Sequence, residues 1–575
     1  MTIFVVRMEI RWTAKPLPNP EIVARLSAEL NVNPIIAKIL VQRGIDTFDK
    51  AKRFFRPALT DLHDPFLMKD MDLAIQRIKQ AISNQEGMLV YGDYDVDGTT
   101  AVSIVYSYFK TLNQNIEYYI PDRYKEGYGI SKMGIDYAKE KGFTLIIALD
   151  CGIRSHELID YANSLGVDFI ICDHHLPGGT IPNAKAVLNP KQSDCTYPYK
   201  ELSGAGIGFK LVQGYSKKEG FAEEKIMEYI DLVAVSIAAD MVDMQGENRI
   251  LAYYGLKKLN ENPSIGLQAL IEGSAPKAKF TIQDIIFGIG PKINAAGRIS
   301  DAKAAVRVLI ETEYTTARQL SRILNDRNEE RKDIDTGITD VAVNIIENDP
   351  DFHSNRAIIL MGEQWHKGVI GIVASRMVEQ YYKPTIVFSL NDGMLTGSAR
   401  SVKNFDIHEA ITKCSEFVEQ FGGHKYAAGL SVKVENFEGF KEMFERIVSE
   451  TISENSLTPE VEYDLELDIN EINPKIMNLV SQMSPFGPGN TVPIFKSSGL
   501  RSNNSARVLK DRHLKLQIQH QNRYYIDGIG FGLADQIHVV SNGQVFDACY
   551  CIEENHYNGQ VKVQLRLRDL KKAAI

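Results

Sequence analysis

The stretch MLVYGDYDVDGTT (88–100) places a short apolar run directly before three carboxylates, which are followed by glycine and threonine. The apolar residues predict a buried strand, and the residues from Gly98 onward predict the start of a helix. Asp93, Asp95 and Asp97 alternate, so an extended turn would place their side chains on one side. The N-terminus of the following helix favours phosphate. This stretch therefore predicts an acidic turn at the end of a strand, suited to phosphate chemistry.

A calcium-binding helix–loop–helix motif also opens with the D-x-D-x-D-G pattern. That loop requires a glutamate at its twelfth position and a helix on both sides. Counting from Asp93, the twelfth residue is Ile104. The pattern therefore disfavours this alternative.

Two further apolar runs, TLIIALD (144–150) and DFIICDHH (168–175), end in acidic or histidine residues. Helical patterns near 99–111, 131–141 and 155–165 separate the runs. Regular alternation of strand and helix predicts a doubly wound parallel sheet in an α/β domain. Ligands bind such sheets at the carboxyl ends of the strands. We therefore expect the catalytic site at that edge.

The side chains available at that edge suit a metal site. A single aspartate such as Asp150 at a strand end is a helix cap more often than a ligand, whereas Asp173-His174-His175 is a more specific cluster. Asp240 lies in the apolar run LVAVSIAADM (232–241), where an unpaired carboxylate would be costly to bury. Carboxylate and imidazole together suit Mn²⁺ or Mg²⁺ better than a structural zinc. Two such ions can activate a water and hold phosphoryl oxygens, so two divalent ions are the predicted cofactor.

The rest of the chain shows three further patterns. A largely unbroken helix is predicted between about 302 and 348, and a second α/β pattern follows it. From about 460 the pattern turns to β, with a hairpin turn predicted at Asn558-Gly559, and it fits a small OB-like barrel. The predicted domains are an N-terminal helical region (1–80), a catalytic domain (81–300), a connecting helix (301–350), a substrate-binding lobe (351–455) and an OB-like domain (456–575).

The OB-like region is also where basic residues collect. The stretch from Lys496 to Tyr525 contains seven Lys or Arg residues and a single acidic residue, and it also contains His513, Tyr524 and Tyr525. Basic and aromatic side chains on a barrel are typical of single-strand binding, although a solvated charged face gives the same pattern.

Composition sets outer limits on the function. The 575 residues carry a formal net charge of −9, which argues against indiscriminate coating of nucleic acid but allows a local basic groove. No apolar run approaches the ~20 residues of a membrane span, and the expected location is the cytoplasm. The six cysteines lack zinc or redox spacing and are expected to be reduced thiols.

Four of these segments, in chain order, resemble the motifs of the DHH phosphoesterase superfamily: DYDVDGTT (93–100), ALDCG (148–152), CDHH (172–175) and AADMV (238–242). GGHKYAAG (422–429) is similar to the GGHxxAAG motif of the domain that accompanies DHH in its nucleic-acid-cleaving branch. Further stretches resemble the RecJ-like exonucleases, namely IPDRYKEGYG (120–129), INAAGRI (293–299), WHKGVIGIVASR (365–376), TGSARS (396–401) and SPFGPGN (484–490).

The resemblance implies which residues bind metal. The implied ligands are Asp95, Asp97, Asp150, His174 and Asp240, with Asp150 bridging both ions. Asp93 and His175 would lie nearby, as a ligand or a phosphate contact, and complete the implied catalytic set. Pyrophosphatase-like members carry a histidine where this chain has Tyr91. The first metal site is therefore expected to be weaker or differently filled.

The resemblance also implies a substrate and its contacts. It implies a 5′→3′ exonuclease that threads single-stranded DNA between two lobes and releases 5′-mononucleotides, in DNA repair and recombination. The implied substrate-binding residues are Arg123, Arg298, Arg376, Ser398, Arg400, Gly423 and His424, and Arg123, Ser398 and Arg400 would hold a 5′-terminal phosphate. A helicase and a single-strand-binding protein are the implied partners of a monomer. Two alternatives remain open: a DHH phosphodiesterase for short oligonucleotides or cyclic dinucleotides, and a non-catalytic DNA-binding scaffold.

Overall fold

The structure is a computed structural model that describes residues 8–272, 279–299, 301–521, 524–557 and 560–573. The chain folds into two compact units. One unit comprises Met1–Ala14 and Glu329–Tyr463, and the other comprises Lys15–Asn328 and Asp464–Ile575. We call them the smaller and the larger unit.

The strands, in chain order, are β1 Arg11–Ala14, β2 Gly87–Gly92, β3 Ile116–Tyr119, β4 Phe143–Leu149, β5 Asp168–Cys172, β6 Ala186–Leu188, β7 Ile358–Glu363, β8 Thr385–Asn391, β9 Met394–Arg400, β10 Gln420–His424, β11 Ala427–Lys433, β12 Glu460–Tyr463, β13 Leu465–Glu466, β14 Phe495–Ser502, β15 Arg507–Leu509, β16 His513–Gln519, β17 Ile526–Gly530, β18 Phe546–Tyr557 and β19 Gln560–Lys572.

The α-helices are α1 Pro20–Leu30, α2 Pro34–Gln42, α3 Phe48–Phe55, α4 Met71–Ser83, α5 Val96–Lys110, α6 Lys132–Glu140, α7 His156–Ser164, α8 Gly204–Glu219, α9 Glu224–Met227, α10 Ile230–Ala239, α11 Gly246–Glu261, α12 Ile265–Glu272, α13 Ile282–Asp284, α14 Gly290–Ile299, α15 Lys303–Leu309, α16 Tyr314–Glu347, α17 Ile370–Tyr381, α18 Ile407–Thr412, α19 Phe437–Thr451, α20 Pro474–Gln482 and α21 Ile537–Val540. Among the described residues, no helix is long and apolar enough to cross a membrane.

A five-stranded sheet of order β3-β2-β4-β5-β6, parallel throughout, forms the centre of the larger unit. Successive residues of its central strands face opposite cores. Val90 and Ile147 pack into one hydrophobic cluster, and Tyr91 and Ala148 pack into another. Both faces are covered, as expected for a parallel sheet with helices on each side. The prediction of a doubly wound α/β domain is confirmed.

The strand order places the acidic turns together. The chain runs from β2 to its neighbour β3 and then crosses back to β4 on the other side of β2. The gap between the carboxyl ends of β2 and β4 is therefore a topological switch point, where ligands bind in doubly wound sheets. The Asp93–Asp97 turn follows β2, and Asp150 follows β4.

The smaller unit is built on a mixed sheet of order β10-β11-β9-β8-β7. Its strands and α17 fit the predicted second α/β pattern. The helix expected near 406–420 is shorter, because α18 ends at Thr412 and a single 3₁₀ turn, Ser415–Phe417, follows it. Strand β1 pairs in parallel with β12, so the first strand of the chain belongs to this unit and not to a purely helical N-terminal region.

The C-terminal strands pair into a ring, in which β14, β18, β19, β17 and β16 are joined in order and β16 pairs again with β14. This arrangement confirms the OB-like prediction. The predicted turn at Asn558-Gly559 lies outside the described residues. Helices α1, α2 and α3 share the hydrophobic core of this ring through Leu26, Ile36 and Ala51, respectively.

The helix predicted for 302–348 is interrupted. It consists of α15 and α16, which are separated by the residues 310–313. The Glu311 carboxylate accepts hydrogen bonds from the backbone N–H groups of Thr312 and Glu313, and that of Glu313 accepts one from Thr315. These side-chain bonds compete with the helical bonds of the backbone, which is why the first helix ends there.

Candidate active site

The acidic turn after β2 is shaped by the first turn of α5. Asp95 is the N-cap of α5, and its carboxylate accepts a hydrogen bond of 3.0 Å from the Gly98 N–H. Asp93 is fully buried, and one of its oxygens, Oδ2, has no hydrogen-bond partner. Burial and the neighbouring Asp95 raise the pKa of Asp93. The turn thus holds a carboxylate that the protein itself does not satisfy.

Asp97 is fixed by three hydrogen bonds. The N–H groups of Gly204 and Ala205, at the start of α8, donate to its two oxygens at 2.7 and 2.8 Å. The Ser236 hydroxyl in α10 donates to Asp97 Oδ1 at 2.6 Å. The N-terminus of α8 carries a partial positive charge, which stabilises a carboxylate there. Asp97 is therefore oriented from two helices.

Asp150 follows β4 in the left-handed region, with a φ of 59°. The chain approaches it so closely that a Cβ on Gly204 would lie 2.8 Å from Asp150 Oδ1. This oxygen is buried without a hydrogen-bond partner and lies 3.2 Å from His174 Nε2. Burial, together with Asp97 and Asp95, raises the pKa of Asp150.

The two histidines after β5 are held differently. His175 Nδ1 lies 2.7 Å from Asp173 Oδ1, and the other oxygen of Asp173 accepts the Ile153 N–H. Although burial alone would raise the pKa of Asp173, its bond with His175 lowers it. His174 Nε2 instead points among carboxylates, at 3.7 Å from Asp97 and 3.6 Å from Asp240. Asp173 thus orients His175, and His174 joins the acidic cluster.

Asp240 caps the C-terminus of α10, and its side chain is 30% exposed. Partial removal of its carboxylate from water and the negative charges of Asp97 and Asp95 raise the pKa of Asp240. Two groups of possible ligand atoms, each within 4.8 Å of one another, share His174: one also contains Asp150 and His175, and the other contains Asp97 and Asp240. The structure therefore brings together four of the five predicted ligands, and adds His175. Asp95 lies beside them as a helix cap.

Lys191 acts electrostatically on Asp240, but no direct ion pair with a Lys or Arg of the described residues offsets this charge. In the described ranges of the chain, no Lys or Arg forms an ion pair with any of the five predicted ligands, and histidine is the only basic partner found. Buried carboxylates without a cationic partner are costly.

Two predicted substrate residues lie near this site in the larger unit. The Arg123 guanidinium lies 4.9 Å from the centre of the Tyr94 ring and lines a cavity of about 250 Å³. Gly297 lines the same cavity, and Arg298 follows it in α14. The Tyr124 hydroxyl donates a hydrogen bond to the Arg298 carbonyl.

Four other predicted substrate residues lie on strands β9 and β10 of the smaller unit, with β11 between them. Ser398 and Arg400 are on β9, and the Arg400 guanidinium donates to Ser398 Oγ at 3.0 Å. Arg400 is opposite Ala427 on β11, which in turn is opposite His424 on β10. His424 and its neighbour Gly423 are exposed. Arg123 belongs to the other unit, so a 5′-phosphate pocket formed jointly with it stays a prediction.

Arg376, on α17, already has a partner. Its guanidinium donates to the fully buried Asp335 of α16 at 2.6 Å. Its own side chain is 45% exposed. This ion pair gives Arg376 a structural role within the smaller unit, and its contact with substrate stays a prediction.

The outer face of the C-terminal ring carries the predicted basic and aromatic residues. Arg507, Lys510, Arg512, Tyr524 and Tyr525 are exposed, and Lys515 is half-buried. Phe531, which the sequence analysis did not single out, is also exposed, and the centre of its ring lies 5.2 Å from that of His513.

Sequence reasoning also missed two residues of the acidic site. Ser236 precedes Asp240 by four residues in α10, and this helical spacing is a signal that would have placed both on one face. Tyr128 lies in the quoted stretch 120–129 without an assigned role. Its hydroxyl is 3.3 Å from His175 Nε2 and donates to the Asp150 carbonyl at 3.4 Å.

Three family models match the chain: the DHH family N-terminal domain at residues 87–237, the DHHA1 domain at 354–450 and the RecJ OB domain at 463–569. The single-stranded-DNA-specific exonuclease RecJ of Bacillus subtilis is 34% identical over 98% of this chain and 71% of its own length. The Escherichia coli protein of the same name is 30% identical over 94% of this chain and 96% of its own.

The crystal structure of RecJ from Thermus thermophilus in complex with Mn²⁺ superposes with a TM-score of 0.84 and 26% identity, covering 98% of this chain and 80% of that one. Sequence, domain order and fold thus agree over nearly the whole chain, and the protein belongs to the RecJ family.

Proposed function

We propose that this protein is a single-stranded-DNA-specific exonuclease that hydrolyses phosphodiester bonds with two divalent ions and releases 5′-mononucleotides. The observation that carries the proposal is the convergence of Asp97, Asp150, His174 and Asp240 at the switch point of a parallel sheet. The activity and substrate follow those in the names of the RecJ relatives.

The donor set fits a pair of hard divalent ions. Asp93 Oδ2, Asp150 Oδ1 and His174 Nδ1 are buried without hydrogen-bond partners. Carboxylate oxygens with one or two imidazoles are ligands that Mn²⁺ and Mg²⁺ accept. Both ions appear in crystal structures of the Thermus thermophilus relative.

The residues that would hold the ions are Asp95, Asp97, Asp150, His174 and Asp240, with His175 as a further candidate. When bound, two such ions supply an activated water and neutralise charge on the phosphoryl oxygens. The protein contributes orientation: Asp97 is fixed by three donors, and Asp173 holds His175. The Tyr128 hydroxyl contacts His175 Nε2 and donates to the Asp150 carbonyl, so it also helps to orient His175.

The single strand would meet two groups of donors. Arg123 and Arg298 lie in the larger unit, and Ser398, Arg400, Gly423 and His424 lie in the smaller one. Guanidinium forks suit phosphate oxygens. We propose that Arg123, Ser398 and Arg400 recognise the 5′-terminal phosphate, which gives 5′→3′ polarity, and that the C-terminal ring binds the strand further along.

The two alternatives are less well supported. A phosphodiesterase for short oligonucleotides or cyclic dinucleotides does not need the RecJ OB domain that residues 463–569 match. A non-catalytic scaffold does not need a full set of metal ligands, and this chain retains one. A helicase and a single-strand-binding protein as partners, the monomeric state, the cytoplasmic location and the role in DNA repair and recombination stay predictions.

End-labelled single strands test the proposal directly. With Mn²⁺ or Mg²⁺, we expect a 5′ label to be released as a mononucleotide early and a 3′ label late. Asp150→Ala should abolish release, since the two ions act as one unit. It should leave the fold intact. Asp194→Asn is a matched control, because this carboxylate is exposed and pairs with Lys69. Activity of Asp150→Ala above a few per cent of wild type, with metal still bound, would contradict the two-metal assignment.

A further inference from the structure

The segment that follows Asp240 contacts a loop from the C-terminal part of the chain. This loop, Ser484–Asn490, is the stretch SPFGPGN, which we call the SPFGPGN loop. The Met244 N–H donates to the Pro488 carbonyl at 2.7 Å, and the Gln245 side-chain amide donates to the Gly489 carbonyl at 3.2 Å. The chain is thus anchored through a backbone N–H four residues after Asp240 and through a side chain five residues after it.

The contact leaves no room for a side chain at Gly489. Its φ is 73°, and a Cβ built there would lie 1.9 Å from Asp243 Oδ1 and 2.8 Å from Gln245 Nε2. The left-handed conformation alone favours glycine. The close approach is a second reason for glycine at this position, because a side chain there would collide with Asp243 and Gln245 in the segment after Asp240.

The SPFGPGN loop is itself held by the helix that follows this segment. Arg249, in α11, is 5% exposed and donates to the carbonyls of Met483, Ser484 and Pro485 at 3.0 to 3.2 Å. It also donates to the Phe54 carbonyl, at the end of α3, and its guanidinium lies 3.8 Å from the centre of the Phe54 ring. One buried arginine therefore ties α11, α3 and the loop together.

The far end of the loop is fixed as well. The Asn490 side-chain amide donates to the carbonyls of Met483 and Pro485 at 2.9 and 2.8 Å. Arg43, just after α2, donates to the Asn490 side chain and, at 2.6 Å, to the Thr491 carbonyl. The loop is a fixed surface against which the Asp240 segment rests.

Asp240 needs such support more than Asp97 does. Asp97 receives three hydrogen bonds, whereas in the part of the chain that the structure describes none reaches the Asp240 carboxylate. Met241 directly after it has a φ of 54°, so the chain turns sharply there. The position of the Asp240 carboxylate therefore depends on the backbone on both sides: α10 before it and the residues Met241–Gln245 after it.

We infer that the SPFGPGN loop positions Asp240 for metal binding, and that Gly489 and Arg249 are positioning residues for the reaction. The inference rests on the proposed function, because it assumes that Asp240 is a ligand. Residues some 240 positions away in the sequence thus support the metal centre from outside, and an isolated catalytic domain lacks that support.

Gly489→Ala tests the inference in the full-length protein. Mn²⁺ binding, measured by calorimetry without DNA, should weaken roughly 10- to 100-fold, as when the groups that orient metal ligands are changed. We expect kcat on single-stranded DNA to fall while KM stays near that of wild type. Gly543→Ala is the matched control, since Gly543 also lies in a C-terminal loop of the larger unit, has a φ of 69° and has open space where a Cβ would lie. It should leave both quantities unchanged.

Two further variants keep the result interpretable. Gln245→Ala removes one hydrogen bond to the loop without adding bulk, and should weaken Mn²⁺ binding about two- to tenfold even if Gly489→Ala fails to fold. Asp240→Asn tests the assumption that Asp240 is a metal ligand. If Asp240→Asn binds Mn²⁺ like wild type, the proposed ligand set is wrong. If Asp240→Asn loses binding while Gln245→Ala and a folded Gly489→Ala retain it, the inference is overturned.

Discussion

Ser236→Ala isolates one hydrogen bond beside the proposed metal centre. The Ser236 hydroxyl lies 2.6 Å from Asp97 Oδ1 and 2.6 Å from the Ser203 hydroxyl. The side chain is fully buried, so no water can replace it without rearrangement. Alanine fits the same space, and the perturbation is confined to the hydrogen bonds that Ser236 makes with Asp97 and Ser203.

The size of the effect follows from the bonds that remain. A hydrogen bond to a charged group contributes about 1.5 to 3 kcal/mol, and each 1.4 kcal/mol corresponds to about a tenfold change in affinity. Asp97 keeps the Gly204 and Ala205 N–H groups, which hold both its oxygens. We therefore expect the lower end of this range, about tenfold weaker Mn²⁺ binding and a comparable loss of kcat.

Calorimetry with Mn²⁺ and release of mononucleotides from 5′-labelled strands measure the two effects separately. Ser103→Ala is the control, because Ser103 is equally buried in α5 but donates only to the Thr99 carbonyl of its own helix. Unchanged Mn²⁺ affinity in Ser236→Ala, or an equal loss in both variants, would refute the view that Ser236 orients a ligand.

Four other predictions concern the strand, the 5′ end and stability. Replacing four basic residues of the ring together should weaken the binding of long strands and reduce the salt dependence of that binding, while cleavage of very short oligonucleotides stays nearly unchanged. Equal losses of cleavage on long and short substrates would mean that the ring is structural. The four positions are Arg507, Lys510, Arg512 and Lys515. Arg400→Ala should slow cleavage of 5′-phosphorylated strands far more than cleavage of 5′-hydroxyl strands. If the measured rates on the two substrates fall equally, Arg400 serves general strand binding instead. Lys210→Met should lower the free energy of unfolding in urea by about 3 to 5 kcal/mol, because it leaves the buried Glu247, 2.7 Å away, without its cation; a change under about 1 kcal/mol would contradict this. Hydrogen bonds from Lys403 and Thr13 lower the pKa of Glu460 to about 2. The contribution of Glu460 to stability should therefore be complete above pH ~4.3 and lost as the pH falls towards 2. Glu460→Gln should flatten this acid dependence of thermal unfolding.

The sequence predicted the catalytic sheet well because its signals are local. Each central strand is a short apolar run, and each carboxylate follows its strand directly, so strand order alone brought Asp97, Asp150 and His174 together. The signal for Asp240 was weaker, since it depends on an acid in an apolar helix. Here the structure differs from the expected burial, because the side chain is partly exposed at the end of α10.

The missed features depend on contacts between distant residues. Nothing near Arg11 in sequence indicates that β1 pairs with β12, about 450 positions later. The motif match gave Arg376 a substrate role, but its partner Asp335 lies on another helix. The break between α15 and α16 rests on side chains that bond the backbone locally, and a hydrophobic periodicity cannot detect them.

The architecture also explains why this site accumulates acids and still needs a cation. In a parallel sheet each strand is followed by a helix, so the turns that deliver carboxylates also deliver helix N-termini with partial positive charge. Asp95 caps α5, and Asp97 receives two N–H groups from α8. These partial charges are not enough for the whole cluster, because burial and mutual repulsion still raise the pKa values of Asp93, Asp95 and Asp150. Among the described residues, the carboxylates of Asp150 and Asp240, which also face His174, receive no such hydrogen bond, and the remaining charge is what a divalent ion would neutralise.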